Sequence, residues 1–406
     1  MNTPRAVRFL DRRTPPHITT LVLLAGIGAM NMSAFLPSLP AMSVHFDTPY
    51  SVMQLSVSLY LATTAVLQLL IGPFADRYGR RPVVLASLAI FTLATVGCIL
   101  APTVEIFLAF RMMQGAVAAG FVLSRAVVRD MYPQNEAASM IGYVTMGMSL
   151  VPMFAPMIGG ALDERFGWQA TFAFLAVSGL LILALSWVDL GETAPEGRAT
   201  SFRAQIRDYP ELLTARRFWG YVLAAAFASG AFFAFLGGAP YVASDVYGLD
   251  AFWAGVGFGA PAVGYALGNF LSGRYSVRFG VNAMILYGTL VTSIGLSTAV
   301  AITASGFGSA LVFFGFCTFV GLGNGMVMPN ATAGMLSVRP HLAATASGLG
   351  SAFLIGGGAA LSVLAGVVLH WGTTSLPLQL LMLITSLMSL GAIRYVIRRE
   401  RHLAEG

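Results

Sequence analysis

The stretch Gly72-Pro73-Phe74-Ala75-Asp76-Arg77-Tyr78-Gly79-Arg80-Arg81-Pro82 decides how this chain is read. Asp76, Arg77, Arg80 and Arg81 fall within six residues of one another in a chain that is only 10% charged. Residues 55–71 before it and 83–100 after it are almost free of charge. Hydrocarbon does not tolerate four charges together, so the stretch reads as a loop that turns the chain round at a membrane face. Gly72 and Gly79 permit tight backbone turns at its two ends.

The rest of the composition agrees. The chain has 406 residues, 57% of them hydrophobic. A soluble domain has about 45–50% apolar and about 25% charged residues, which excludes a water-soluble fold here. A helix crosses the bilayer in about 20 apolar residues, which leaves room for roughly twelve crossings. The expected spans are 18–40, 52–74, 82–101, 103–126, 138–160 and 167–190, then 218–242, 252–273, 280–303, 307–330, 343–369 and 374–396. Residues 1–17 form a tail, 18–190 a first six-span bundle, 191–217 a polar central loop, 218–396 a second bundle and 397–406 a second tail. The halves echo each other faintly: Gly273-Arg274 follows span 8 much as Asp76-Arg77 follows span 2, at an offset of 197 positions, and Pro133 and Pro340 fall in matching loops.

All 23 basic residues are arginine. With the N-terminus in the cytoplasm, only Arg165 falls outside and Arg111 within a span, so 21 lie inside. This is the positive-inside pattern, and it places both termini in the cytoplasm. The net charge of +6 therefore reports topology and calls for no nucleic-acid partner. Cys98 and Cys317 both lie in apolar runs and read as small packing residues, not as a disulfide or a metal site.

Three segments carry a family resemblance. The pattern Gly-x-x-x-Asp-Arg-x-Gly-Arg-Arg at Gly72, Asp76, Arg77, Gly79, Arg80 and Arg81 resembles the loop 2–3 signature of the major facilitator superfamily. Arg111, Gln114 and Gly115 resemble that family's Arg-x-x-Gln-Gly signature in span 4. Gly142, Pro156, Gly159 and Gly160 resemble the antiporter signature of span 5. Val151 and Ala155 replace two of its glycines, and Pro152 adds a break. The finer resemblance is to the drug:proton antiporters of the bicyclomycin and chloramphenicol resistance type. Phe35-Leu36-Pro37-Ser38-Leu39-Pro40, Gly167-Trp168-Gln169-Ala170 and Gly321-Leu322-Gly323-Asn324-Gly325 with Met328-Pro329-Asn330 carry it. The resemblance implies an all-α polytopic protein of the bacterial inner membrane. It has twelve transmembrane helices in two pseudo-symmetric six-helix bundles, with N-in/C-in topology. Such a protein exports small, largely apolar drugs in exchange for protons, works as a monomer and needs no cofactor. It also implies that the 72–81 loop latches the two halves on the cytoplasmic side in the outward-facing state, and that Arg111 serves proton coupling.

One absence complicates the coupling. Related exporters carry an acid in span 1 just before the Leu-Pro segment, where this chain has Ser33. None of the 17 acidic residues falls convincingly at mid-membrane. Coupling is therefore expected to run through Asp76 or Asp130 with Arg111, which sits near a span centre, or through a substrate that itself titrates. The expected substrate cavity takes its polar and aromatic residues from within the spans: Asn31, Tyr60, Gln114, Phe232, Phe235, Asn324 and Asn330, with Gln68, Tyr265, Phe233 and the methionines of span 5 beside them. A same-fold exporter or importer of a metabolite such as a sugar or amino acid is the alternative. An enzyme would need a cluster of nucleophile, metal ligands or carboxylates, and none stands out. A phosphate-binding loop of the Gly-Lys-Ser/Thr type cannot exist without lysine.

Overall fold

The computed structural model describes residues 7–132, 134–194, 210–339, 342–369 and 373–405, and these are helical with no strand among them. The crossings follow in chain order as Ile18–His45 (α1), Tyr50–Tyr78 (α2), Arg80–Leu100 (α3) and Val104–Met131 (α4). Gln134–Phe166 (α5) and Trp168–Asp189 (α6) complete the first half. The second half begins with Arg216–Val246 (α7). Ala251–Phe258 and Ala260–Phe279, bent at Gly259, together form α8. Val281–Phe307 (α9), Ala310–Val338 (α10), Ala343–Leu369 (α11) and Leu376–Glu405 (α12) follow. Among the described residues ten helices are long and apolar enough to cross a membrane, and α5 and α8 bring the crossings to twelve. Prolines shape several of them. Pro37 and Pro40 accompany a tight 3₁₀ turn, Leu36–Ser38, in the outer part of α1, as expected where a ring removes a backbone donor.

The charged stretch at 72–82 is not a loop. α2 runs on through Tyr78 and α3 starts at Arg80, so Gly79 alone makes the turn, at φ 97° and ψ 153°. Only glycine occupies that region without strain. Gly72 lies inside α2 and makes no turn. The charges are tolerated because they ride on helix ends that reach past the hydrocarbon. Gly167 and Gly280 make the same one-residue turn, at φ 82° and 83°. The match of Gly79 to Gly280 sets the repeat at 201 positions, not 197. The counterpart of Asp76 is therefore Val277, which is 96% exposed. Pro133 and Pro340 lie outside the described residues.

Inside the halves, α3 packs on α6 and α1 on α5, while α10 packs on both α8 and α9 and α7 on both α11 and α12. The α8–α10 crossing is close enough that a Cβ at Gly264 would lie 1.9 Å from the Thr318 carbonyl oxygen, the small-residue packing that lipid favours. Between the halves, α5 packs on α8 and α2 on α11. The side chains and glycines that make these seams lie towards the external ends. At the cytoplasmic ends the ion pairs Arg80–Asp76 and Arg80–Asp130 lie within the first half and Arg217–Glu400 within the second, while Arg339–Glu211 ties α10 to the segment that leads into α7.

Candidate functional site

Arg111 is fully buried. It lies seven residues from the external start of α4, about 10 Å along the helix, and so not at the span centre. Its Nε donates to the Ser56 carbonyl at 3.1 Å, and Nη2 donates to the Asn31 carbonyl at 3.0 Å. Nη1 donates to Asn31 Oδ1 at 2.7 Å and to Gln114 Oε1 at 2.5 Å. Gln114 in turn donates to Thr95 Oγ1 at 2.7 Å. The guanidinium carbon lies 4.1 Å from the Phe35 ring centroid and 4.5 Å from that of Tyr60. The cation is thus held edge-on by amides and carbonyls and faced by two aromatic rings, which favour it electrostatically. The partners just named join α1, α2, α3 and α4, and none is a carboxylate. Asn31 and Gln114, expected to line a cavity, are wholly buried in this cluster.

Arg80 makes the opposite kind of site. It is 8% exposed at the cytoplasmic start of α3. Its Nη1 pairs with Asp76 Oδ1 at 2.7 Å and its Nε with Asp130 Oδ2 at 3.2 Å. Asp130 also accepts from Thr193 Oγ1 at 3.4 Å. Two carboxylates thus share one guanidinium across α2, α3 and α4. Glu192, just past α6, accepts from the backbone N–H of Arg80 at 2.8 Å and of Arg81 at 3.2 Å. It serves as the cap of α3, where a carboxylate satisfies free N–H groups and meets the positive end of the helix dipole. A Cβ at Gly79 would lie 2.4 Å from Glu192 Oε2, so the cap itself needs glycine there. Arg81 donates to the carbonyls of Leu190 and Trp187 and stacks over the Trp187 ring at 5.1 Å. Arg77 is exposed.

Sequence reasoning missed Glu192 and its neighbour Asp189. Asp189 is fully buried at the inner end of α6. It accepts from Leu10 N at 2.7 Å, His17 N at 2.9 Å and Thr20 Oγ1 at 2.7 Å, which fixes the N-terminal tail against the bundle. The signal was an acid at a span end, and its partners lie some 170 positions earlier in the chain.

The antiporter-like residues of α5 form the seam between the halves. A Cβ at Gly160 would lie 2.1 Å from the Ala251 carbonyl oxygen of α8, and one at Gly255 would lie 2.4 Å from that of Pro156. Gly159 faces α1 instead, where a Cβ would lie 1.8 Å from the Ala34 carbonyl oxygen. Its own carbonyl accepts from Thr171 Oγ1 at 3.1 Å. Pro152 is half-buried on the same helix. The surroundings of Gly142, and the side chains of Met146 and Met153, lie outside the described residues.

Comparison with known proteins agrees with this architecture. The Major Facilitator Superfamily profile matches residues 21–363. The chain belongs to the major facilitator superfamily. It is 30% identical to the uncharacterized MFS-type transporter YdgK of Bacillus subtilis, over 91% of this chain and 92% of that protein. It is 30% identical to a chloramphenicol resistance protein of Pseudomonas aeruginosa, over 82% and 78% of the two chains. It is 28% identical to a bicyclomycin resistance protein homolog of Haemophilus influenzae, over 82% and 84%. The solved D-xylose-proton symporter superposes with a TM-score of 0.75 over 93% of this chain and 96% of that one, at 14% identity, which shows the fold alone. This chain is therefore a multi-pass transporter of the bacterial inner membrane, handling a small-molecule substrate.

The remaining expected cavity residues of this major facilitator scatter. Tyr60 is buried against Arg111. Phe235 is 1% exposed and packs with Phe258, Phe313 and Phe314 at ring separations of 5.8–6.2 Å, so it belongs to the core and not to a cavity wall. Asn330 is buried and donates from Nδ2 to Ser272 Oγ and to the Met326 carbonyl, both at 2.8 Å. Asn324 is buried in α10 and its Oδ1 has no hydrogen-bond partner among the described residues. Phe232, Tyr265 and Gln68 are half-buried. Cys98 and Cys317 are buried free thiols.

Proposed function

We propose that the protein exports small, largely apolar drugs of the amphenicol or bicyclomycin kind, in exchange for protons, by rocking its two bundles about a central site. The observation that carries the reading is the likeness, over about four fifths of the chain, to proteins named for chloramphenicol and bicyclomycin resistance. The geometry supports an alternating cycle. Seams between the halves gather at the external ends, and no ion pair seen among the described residues bridges the two bundles at the cytoplasmic ends, an arrangement suited to a form that faces the cytoplasm. In the opposite form the charged face around Asp76, Arg77 and Arg81 would meet the second half and act as the latch. Phe232, Tyr265 and the free acceptor of Asn324 are the side chains we assign to the substrate cavity. Single Phe or Tyr faces with few polar groups suit varied apolar ligands. For the proton we assign Asp76 and Asp130. They share Arg80, so protonating either weakens the tie between α2, α3 and α4. Arg111 is assigned a positioning role, because its bonds and both its faces are occupied. A single chain supplies every residue in this cycle, so the protein works as a monomer.

The test is drug susceptibility in an exporter-deficient bacterium, paired with uptake into inside-out vesicles with and without an imposed pH gradient. The expected result is raised resistance to an amphenicol or bicyclomycin and faster uptake with an acid lumen. Equal uptake with and without the gradient sinks the proton exchange. Unchanged susceptibility to every amphenicol, bicyclomycin and dye tried sinks the drug substrate and favours a metabolite.

A further inference from the structure

Tyr50, Gln54 and Ser58 stand four residues apart at the external end of α2, so they share one face of the helix. That face reaches across to the other half. Tyr50 Oη donates to the Gly237 carbonyl of α7 at 3.0 Å, and its ring lies 5.3 Å from that of Tyr241. Gln54 is 1% exposed, and its Nε2 donates to the Ser362 carbonyl of α11. Ser58 Oγ lies 3.5 Å from Ser362 Oγ. The Gln54 amide occupies a slot that exists only because two side chains are missing. A Cβ at Gly237 would lie 2.6 Å from Gln54 Nε2, and one at Gly366 would lie 1.8 Å from Gln54 Oε1. Ser362 and Gly366 are again four residues apart, so the slot is one stripe of α11 closed by α7.

The chemistry of this contact suits repeated opening. A charged side chain buried between two moving bundles would have to be stripped of water on every closure, at a large cost. A neutral amide makes one directional bond whose net worth is modest, and water replaces it when the halves part. The α5–α8 seam, by contrast, is a close approach of backbones at Gly160 and Gly255. The α2 face is where a side chain of one half is held by the other.

We infer that Gln54 is the external lock of the transport cycle: its amide, seated between Gly237 and Gly366, holds α2 against α7 and α11 and sets the balance between the form closed to the outside and the form open to it. The inference rests on the proposed alternating cycle but not on the identity of the drug or on the proton.

The experiment reads conformation directly. Nitroxide labels on Val44→Cys and Leu311→Cys, 82% and 85% exposed at the external ends of α1 and α10, report the opening between the halves by double electron–electron resonance. Purified protein without substrate is used. Losing one buried neutral hydrogen bond should raise the long-distance fraction about 3- to 10-fold in Gln54→Ala. Gly366→Ala should move it in the same direction, because its methyl group fills the slot. Ser58→Cys with Ser362→Cys should cross-link under oxidation, and accessibility of a separate label pair should then show only the closed form until reductant is added. A folded Gln54→Ala that melts at a lower temperature but keeps the wild-type distance distribution makes the amide merely structural and overturns the inference. If Gln54→Ala does not fold, the cysteine pair decides: failure to cross-link, or a cross-link that leaves the external opening unchanged, overturns it. Absence of drug transport by the wild type would remove the exporter reading and leave these distances untouched.

Discussion

Two buried arginines of the same half, Arg111 and Arg80, show what surroundings do to one side chain. Arg111 is held by the amides of Asn31 and Gln114, two carbonyls and the faces of Phe35 and Tyr60. None of those groups changes protonation in the physiological range, and the guanidinium is fully enclosed. Arg80 sits at a helix end between Asp76 and Asp130. A carboxylate, unlike an amide or a carbonyl, is a group that can take up and release a proton. The motif resemblance places coupling at Arg111, whereas the local chemistry favours the carboxylates around Arg80. The first arginine ties helices together, and the second is where we propose that the protein responds to protons.

The comparison breaks most visibly at Arg111. Arg111→Ala leaves four acceptors without their donor and a void between two rings, a loss of about 3–5 kcal/mol when each buried acceptor left unsatisfied costs about 1 kcal/mol or more. Thermal unfolding in detergent, followed by tryptophan fluorescence and by yield, should show it as the least stable variant of the set. Wild-type stability there would mean that the arginine is no staple. The next effect sharpens the contrast. Asp76→Asn and Asp130→Asn should each change stability by about 1–2 kcal/mol, less than Arg111→Ala, since Arg80 keeps its other carboxylate when one is neutralised. They should nevertheless remove the response of vesicle uptake to an imposed pH gradient, while exchange of substrate without a gradient continues. If uptake by Asp76→Asn and Asp130→Asn still followed the gradient, the two arginines would trade roles.

The smallest expected difference, about 1 kcal/mol between two variants, uses the internal repeat. Gly79 and Gly280 make the same turn at positive φ. A Cβ at Gly280 meets nothing within 4 Å, whereas one at Gly79 runs into Glu192. Gly280→Ala should therefore lose only the conformational term, about 1–3 kcal/mol. Gly79→Ala should lose about 1 kcal/mol more, because it displaces the cap of α3. Equal losses measured in denaturant would remove Glu192 from the account. The asymmetry has a chemical side too. Val277 stands where the first half has Asp76, and the start of α9 is held instead by Asn282 donating to Glu400 at 2.5 Å. The repeat kept the backbone turn and left the paired carboxylates in one half.

The twelve crossings were legible because bilayer thickness fixes the length of an apolar run and charge marks its ends. Most expected spans fall within a few residues of the helices found. The stretch at 72–82 was legible as a membrane boundary but not as a helix–glycine–helix turn. Hydropathy falls where charge begins, and a helix does not stop there. The repeat was misread by four positions for a similar reason: it was aligned on charge, and the feature the two halves share is a glycine conformation. Arg111 and Gln114 were legible as a pair, three residues apart on one helix. Asn31, Ser56 and Thr95, which complete their cluster, come from three other helices and carry no mark in the sequence.

The sequence by itself determined the solvent, the number of crossings, their orientation and the family, because each follows from composition and spacing along one chain. Tertiary structure decided which polar residues are satisfied by one another and which are left for function. Asn31 and Gln114 passed from expected cavity to buried staple, Phe235 from wall to core, and Gln54 from an unremarked polar residue to a contact between the halves. The physical reason is common to the three polar side chains. A polar group in lipid must find a partner, and the partner comes from whichever helix packs beside it, tens or hundreds of residues away in the chain.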